Sequence, residues 1–222
     1  MSALEITVRG RAQRQYRPER GTVSLSAVFT EASSEEAHGK ALELQSKVVT
    51  ELTRLDEEKG VLGDWRANDI HVFGQRPWVD GKESDRVVYT TRITMTAEFL
   101  DFEALAAFLV DLAGRDGLEV SSIAWDVRED SRSRYEAAVR QDAVRDAVAK
   151  AQAYADAVGR AAVTAVALAD PDMLGSGSDG PMPAPMMARA YAMDSAGGGP
   201  TLELRPDDVV IAVAVDARFT AE

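Results

Sequence analysis

From residue 131 to residue 170 the chain fixes much of what it can become: an alanine-rich run, a glycine, then a short apolar stretch. Ser133 and Glu136 stand at the S-x-x-E spacing of a capping box, in which each side chain satisfies a free backbone N–H of the other, so a helix is expected to open there. Val144, Ala147, Val148, Ala151, Tyr154, Ala155 and Val158 recur at three- and four-residue steps and predict one apolar stripe. Alanine and valine dominate that stripe, so the helix can sit close to whatever it covers. Asp146 and Lys150 form a favourable i,i+4 pair off it. Gly159 supplies a C-terminal stop where positive φ is needed. Ala161 to Ala169 then reads as a buried strand.

Upstream, Leu4, Ile6 and Val8 alternate with polar residues, giving a strand that ends near Gly10 or runs on to Tyr16. Val23, Leu25, Ala27 and Phe29 predict a second strand with one buried face. Ser33 and Glu36 form another capping box, opening a helix with Ala37, Ala41, Leu44, Val48, Leu52 and Leu55 on one side. An irregular strand spans Trp65 to Trp78, and Asp80-Gly81 is a hairpin signal. Ile93, Met95, Ala97 and Phe99 alternate with Arg92, Thr94, Thr96 and Glu98 in the clearest strand of all. Asp101 is a natural N-cap for a short helix with Leu105, Phe108, Leu109 and Leu112 inward, and Val120 to Val127 is the next strand. Val209 to Phe219 is the last. From the second strand the order is β-α-β-β-α-β, a ferredoxin-like core extended by the long C-terminal helix and two more strands. The expected class is α+β, a mostly antiparallel sheet with helices on one face. A single domain over 1–222 is expected, with a long loop at 171–204.

Chemistry is harder to find. The formal charge of −12 argues against unaided binding to nucleic acid or anionic lipid. With no cysteine there is no thiolate ligand or cysteine nucleophile. His38 and His71 are the two histidines, and neither has a partner at metal-ligand spacing. No G-x-S-x-G or S-x-x-K sits in a strand–turn–helix setting. Arg9, Arg11, Arg14, Arg17 and Arg20 read as an edge strand blunted by charge, or as a segment meeting an acidic patch of a neighbouring subunit. No catalytic, metal-binding or cofactor-binding residue is assigned, and an enzyme is not expected. No window reaches the length of a membrane span. The N-terminus lacks a basic region followed by an apolar one, so a cytoplasmic location is expected.

The local anomaly is the proline-spaced segment carrying Met182, Met186, Met187, Arg189, Tyr191 and Met193. Methionine adapts well to binding surfaces, and an apolar loop can dock on a partner or a sister subunit. Thioethers are also soft ligands suited to Cu(I). A disordered tether is the third reading.

The run from Glu5 to Gly10, followed by Pro18 and Val23-Ser24-Leu25-Ser26, has a recognisable shape. So do Asp69-Ile70, the stretch from Tyr89 to Asp101, and above all Ala143, Ala147, Ala151 and Ala155 ending in Gly159. Together they resemble the SIMPL family, a bacterial domain of unknown function that includes periplasmic and outer-membrane immunogens. The resemblance spans almost the full chain and extends to a proline- and methionine-rich loop before the last strand. It implies no catalytic motif. The family is named for a eukaryotic signalling adaptor that associates with a kinase; some bacterial members resemble ring-forming or channel-like homo-oligomers, and some are linked to stress tolerance. Ala12 replaces the second glycine of the usual opening, and the signal peptide of exported members is not expected here. The expectation is therefore a non-enzymatic homo-oligomer or a binder of an unknown protein partner, with the methionine-bearing loop as its contact. The alternative is a small-ligand or Cu(I)-binding protein.

Overall fold

The computed structural model of the protein describes residues 3–79, 81–174 and 204–222. In chain order it contains β1 (Leu4–Tyr16), β2 (Arg20–Glu31), α1 (Ser34–Asp56), β3 (Leu62–Gln75), β4 (Trp78–Val79) and β5 (Lys82–Glu83). There follow β6 (Val88–Phe99), α2 (Phe102–Leu112), β7 (Leu118–Asp126), α3 (Glu129–Ala157), β8 (Thr164–Ala169) and β9 (Val209–Ala221). The α+β expectation holds, with all strand pairs antiparallel. The described chain gathers into two compact units, one of residues 17–127 with 204–207 and one of residues 3–16, 128–174 and 208–222. The sequence gives no sign of this division. The junctions at 16/17 and 127/128 fall between continuous elements, where no linker composition marks them.

The unit of residues 17–127 is a sheet in the order β3-β6-β2-β7. That is the strand order of the ferredoxin-like sandwich expected from the β-α-β-β-α-β pattern. α1 opens where Ser33 Oγ accepts from the Glu36 N–H at 3.1 Å. It buries the same six residues that the 3.6-residue period selects. α2 opens at Asp101, whose carboxylate accepts from the N–H groups of Glu103 and Ala104 at 2.9 and 3.0 Å. Both helices place their apolar stripes on Val23, Leu25, Ala27, Ile93, Met95 and Phe99, all fully buried. β3 starts at Leu62, earlier than Trp65, because β6 offers partners down to Phe99. Gly81, between β4 and β5, takes φ +76°, as a hairpin there requires.

The other unit is a three-stranded sheet in the order β1-β9-β8, with α3 packed on β1 and β9. β1 does continue to Tyr16, paired with β9 along its whole length. Three expectations for this region are corrected. The helix opens at Glu129 rather than at Ser133: Arg128 is the N-cap residue and makes no side-chain cap, while Glu129 and Asp130 place negative charge on the first turn. Ser133 therefore lies inside the helix, and its capping box does not form. The apolar stripe is narrower than expected, since Ala143, Ala147, Ala151 and Ala155 are fully buried while Val148, Tyr154 and Val158 are exposed. The approach is closest at Ala143 and Ala147, which lie against Gly10 of β1. The C-terminal stop forms as expected. Gly159 has φ +70°, and the N–H groups of Gly159 and Arg160 reach the carbonyls of Asp156 and Ala155 at 3.0 and 2.9 Å, a Schellman closure.

The third correction concerns β8. It begins at Thr164, not Ala161, and it is an edge strand, not a buried one: Val166 is 59% and Leu168 54% exposed. α3 covers β1 and β9, so β8 lies beyond its footprint.

Candidate functional site

The six residues singled out in the methionine-bearing loop, Met182, Met186, Met187, Arg189, Tyr191 and Met193, lie outside the described residues. His38 is half-buried on α1 and His71 is exposed on β3. Among the described residues, no group of three or more His, Asp or Glu side chains is placed to hold a metal ion. Nor is any described helix long and apolar enough to cross a membrane. The features with distinctive chemistry lie instead on the sheet of the α3 unit: a charged cluster on its open face, and two edges treated in opposite ways.

Alternation in β1 and β9 places Arg9 and Asp216 opposite each other on the sheet face away from α3. Arg9 grips Asp216 with two hydrogen bonds, Nε to Oδ1 at 2.6 Å and Nη2 to Oδ2 at 2.9 Å. This fork geometry is the strong form of the pair. Asp172 completes the cluster. Its backbone N–H donates to Asp216 Oδ2 at 2.8 Å, and its own carboxylate accepts from Arg9 at 2.6 Å. Asp172 takes φ +69°, so the chain turns back onto the sheet just after β8. A shallow groove of about 360 Å³ runs beside it, floored by Ala12, Ala212 and Ala214 and flanked by Arg9, Arg11 and Gln13. Arg9 is already committed to two carboxylates, and among the described residues that line the groove none is a free acid, base or nucleophile.

Asp216 is largely buried, and its carboxyl is held below its ordinary value of 3.8, first by the Arg9 guanidinium and then by the Asp172 N–H. A depressed carboxyl means that the folded chain gives up this proton more readily than the unfolded one. Its charge therefore stabilises the fold above about pH 3.8, and that contribution drains away as the pH falls below that value. Asp216→Asn is expected to lower the urea midpoint at pH 7, with the gap from wild type shrinking by pH 3. A gap of equal size at both pH values would show that the charge has no such role.

The edge at β1 is guarded. Asp146 Oδ2 accepts from the outward N–H of Arg11 at 2.8 Å, and the same oxygen accepts from Lys150 Nζ at 2.6 Å. Lys150 Nζ also reaches the outward carbonyl of Arg9, at 3.1 Å. The i,i+4 pair visible in the sequence thus occupies the backbone groups that another strand would need. Asp146 is held below the ordinary carboxylate range by Lys150 and then by the Arg11 N–H. Further along, Asp142 pairs with Arg14, and Tyr16 stacks on Tyr135 with ring centroids 3.8 Å apart. Of the five arginines read as a blunted edge strand, Arg9, Arg11 and Arg14 do lie on one. Arg17 does not, and Arg20 lies on β2, bonded to Asp126 at 2.8 Å and Glu98 at 3.1 Å.

Among the described residues the edge at β8 is bare. Among the described residues, no hydrogen bond reaches Thr164–Ala169 from outside the sheet. The uncharged run that precedes and forms it, 161–169, contains no Lys, Arg, Asp or Glu. Gln152 of α3 secures the approach to the strand, its Oε1 accepting from the Val163 N–H at 3.0 Å. Sequence reasoning missed this edge because an uncharged apolar run looks the same whether neighbours cover it or not.

A family model described as SIMPL, protein of unknown function (DUF541), matches residues 6–219. No curated protein matches the chain.

Proposed function

We propose that this chain, which belongs to the SIMPL family of proteins of unknown function, is a non-enzymatic protein that works by self-association. The observation carrying this reading is the sheet of the α3 unit, where among the described elements one helix packs on two of the three strands and Val166 and Leu168 of the third are more than half exposed. Apolar side chains on an unprotected edge strand favour a partner. The charged groups point the same way, because Arg9 and Arg14 of β1 are already held by the carboxylates of Asp216, Asp172 and Asp142.

The test is the molar mass of the full chain by light scattering, beside a deletion of residues 178–199. A mass that is a multiple of 23.9 kDa supports self-association. A single-chain mass across the whole concentration range rejects it. If the deletion leaves a multimer unchanged, the segment containing Met182 to Met193 has no part in assembly.

A further inference from the structure

We infer that the surface through which two copies meet is β8, paired edge to edge and antiparallel with β8 of a second copy about a two-fold axis. This rests on the proposed self-association and names its interface.

Charge leaves β8 as the edge at which a second copy can approach. Every copy carries −12, so two copies repel unless they meet where charge is absent. The other edge strands of the two main sheets all carry charged side chains: Glu5, Arg9, Arg11 and Arg14 on β1, Asp64, Arg66 and Asp69 on β3, Glu119 and Asp126 on β7. β8 carries none. Such charges are the usual guard against strand pairing, and here they are missing from one edge only.

The guarded edge decides the symmetry. A head-to-tail contact would lay β8 of one copy against β1 of the next and could propagate into a filament. That arrangement needs the Arg11 N–H and the Arg9 carbonyl, which Asp146 and Lys150 already hold. The β8–β8 contact uses the same patch on both copies and closes at two.

The register supports it too. Ala165 and Leu168 pair with Phe219 and Ala217, which face α3, whereas Thr164 and Ala169 pair with Thr220 and Asp216 on the open face. The shift between Ala165 and Ala167 brings about this change of parity. Setting Ala165 opposite Leu168 of the second copy, and Thr164 opposite its Ala169, keeps like faces together. Both α3 helices then lie on one side of a six-stranded sheet, where each Leu168 gains cover. Val148, 42% exposed, lies one turn from Gln152 on the helix flank that bonds to Val163, and so adds to the same apolar ledge.

Two experiments test this. In the first, Val166→Lys with Leu168→Lys is compared with wild type by light scattering, with Val110→Lys on α2 as a control at another exposed site. The expected result is at least a twofold fall in mass for the β8 variant alone, with an unchanged circular dichroism spectrum. In the second, Ala165→Cys with Leu168→Cys is oxidised mildly. The chain has no other cysteine, so a covalent dimer on a non-reducing gel reports the proposed register directly, and Val110→Cys should give none. A wild type of single-chain mass rejects self-association and this interface together. A multimeric wild type whose mass ignores the β8 lysines, and whose paired cysteines fail to cross-link, rejects the β8 interface alone. The cysteine arm decides the matter if the lysine variant does not fold.

Discussion

Gly10→Val is expected to destabilise the protein by about 3 kcal/mol, at the upper end for overpacking a close contact. A Cβ at this position would lie 2.0 Å from the carbonyl oxygen of Ala143, and 2.8 Å from both the Cβ and the N of Ala147. These are backbone atoms and the first atom of a side chain, so no rotamer change clears them. The helix itself must lift off the strand. Lifting it would open the alanine row and stretch the bonds from Asp146 and Lys150 to the backbone of β1. The loss should therefore exceed a simple packing defect, and it should reduce protection of β1 amides in hydrogen exchange. Urea denaturation measures the first and exchange the second. A midpoint equivalent to less than about 1 kcal/mol of loss would mean that helix and strand can separate at little cost, contrary to the usual penalty for overpacking.

The second large effect belongs to the ferredoxin-like unit. Phe99→Ala should cost about 4 kcal/mol, within the range for removing a buried phenylalanine. The ring is fully buried at the end of β6 and meets the Phe108 ring with centroids 5.2 Å apart. Phe99 is paired with Gly21 on one side and Leu62 on the other, so strands bonded on both sides hold its backbone in place. Walls fixed in this way cannot close on the cavity, which is the condition for a large loss. Phe99→Leu keeps most of the volume and should cost less than half as much. Equal losses for the two variants would show that ring contact with Phe108, rather than volume, sets the stability there.

Much of this fold was readable because its signals are local. In α1, Ser33 and the 3.6-residue recurrence of Ala37, Ala41, Leu44, Val48, Leu52 and Leu55 involve only neighbours in sequence, and the observed helix follows them. Asp101 and the α2 stripe behave in the same way, as does the alternation of Ile93 to Phe99 along β6. The chain order of these elements was enough to anticipate the sandwich, since short connections leave few ways to lay such a pattern down. The proposed interaction surface was much less legible. The loop at Met182 to Met193 drew attention by composition, whereas β8 drew none as an edge.

Sequence by itself thus determined which segments become helices and strands, and which face of α1, α2 and β6 turns inward, because periodicity is printed in the order of residues. Tertiary structure decided what each periodicity meets. Spacing admitted Val148, Tyr154 and Val158 to the stripe of α3, but the folded helix turns the row of Ala143, Ala147, Ala151 and Ala155 inward, with Ala143 and Ala147 against Gly10 of β1, and leaves those three exposed. Asp146 and Lys150 were visible as an ion pair, but only the neighbouring strand makes them the guard of its edge. An uncharged run such as 161–169 states that it avoids charge and nothing about what lies beside it. Burial is a property of neighbours, and for β8 no described strand pairs on that side.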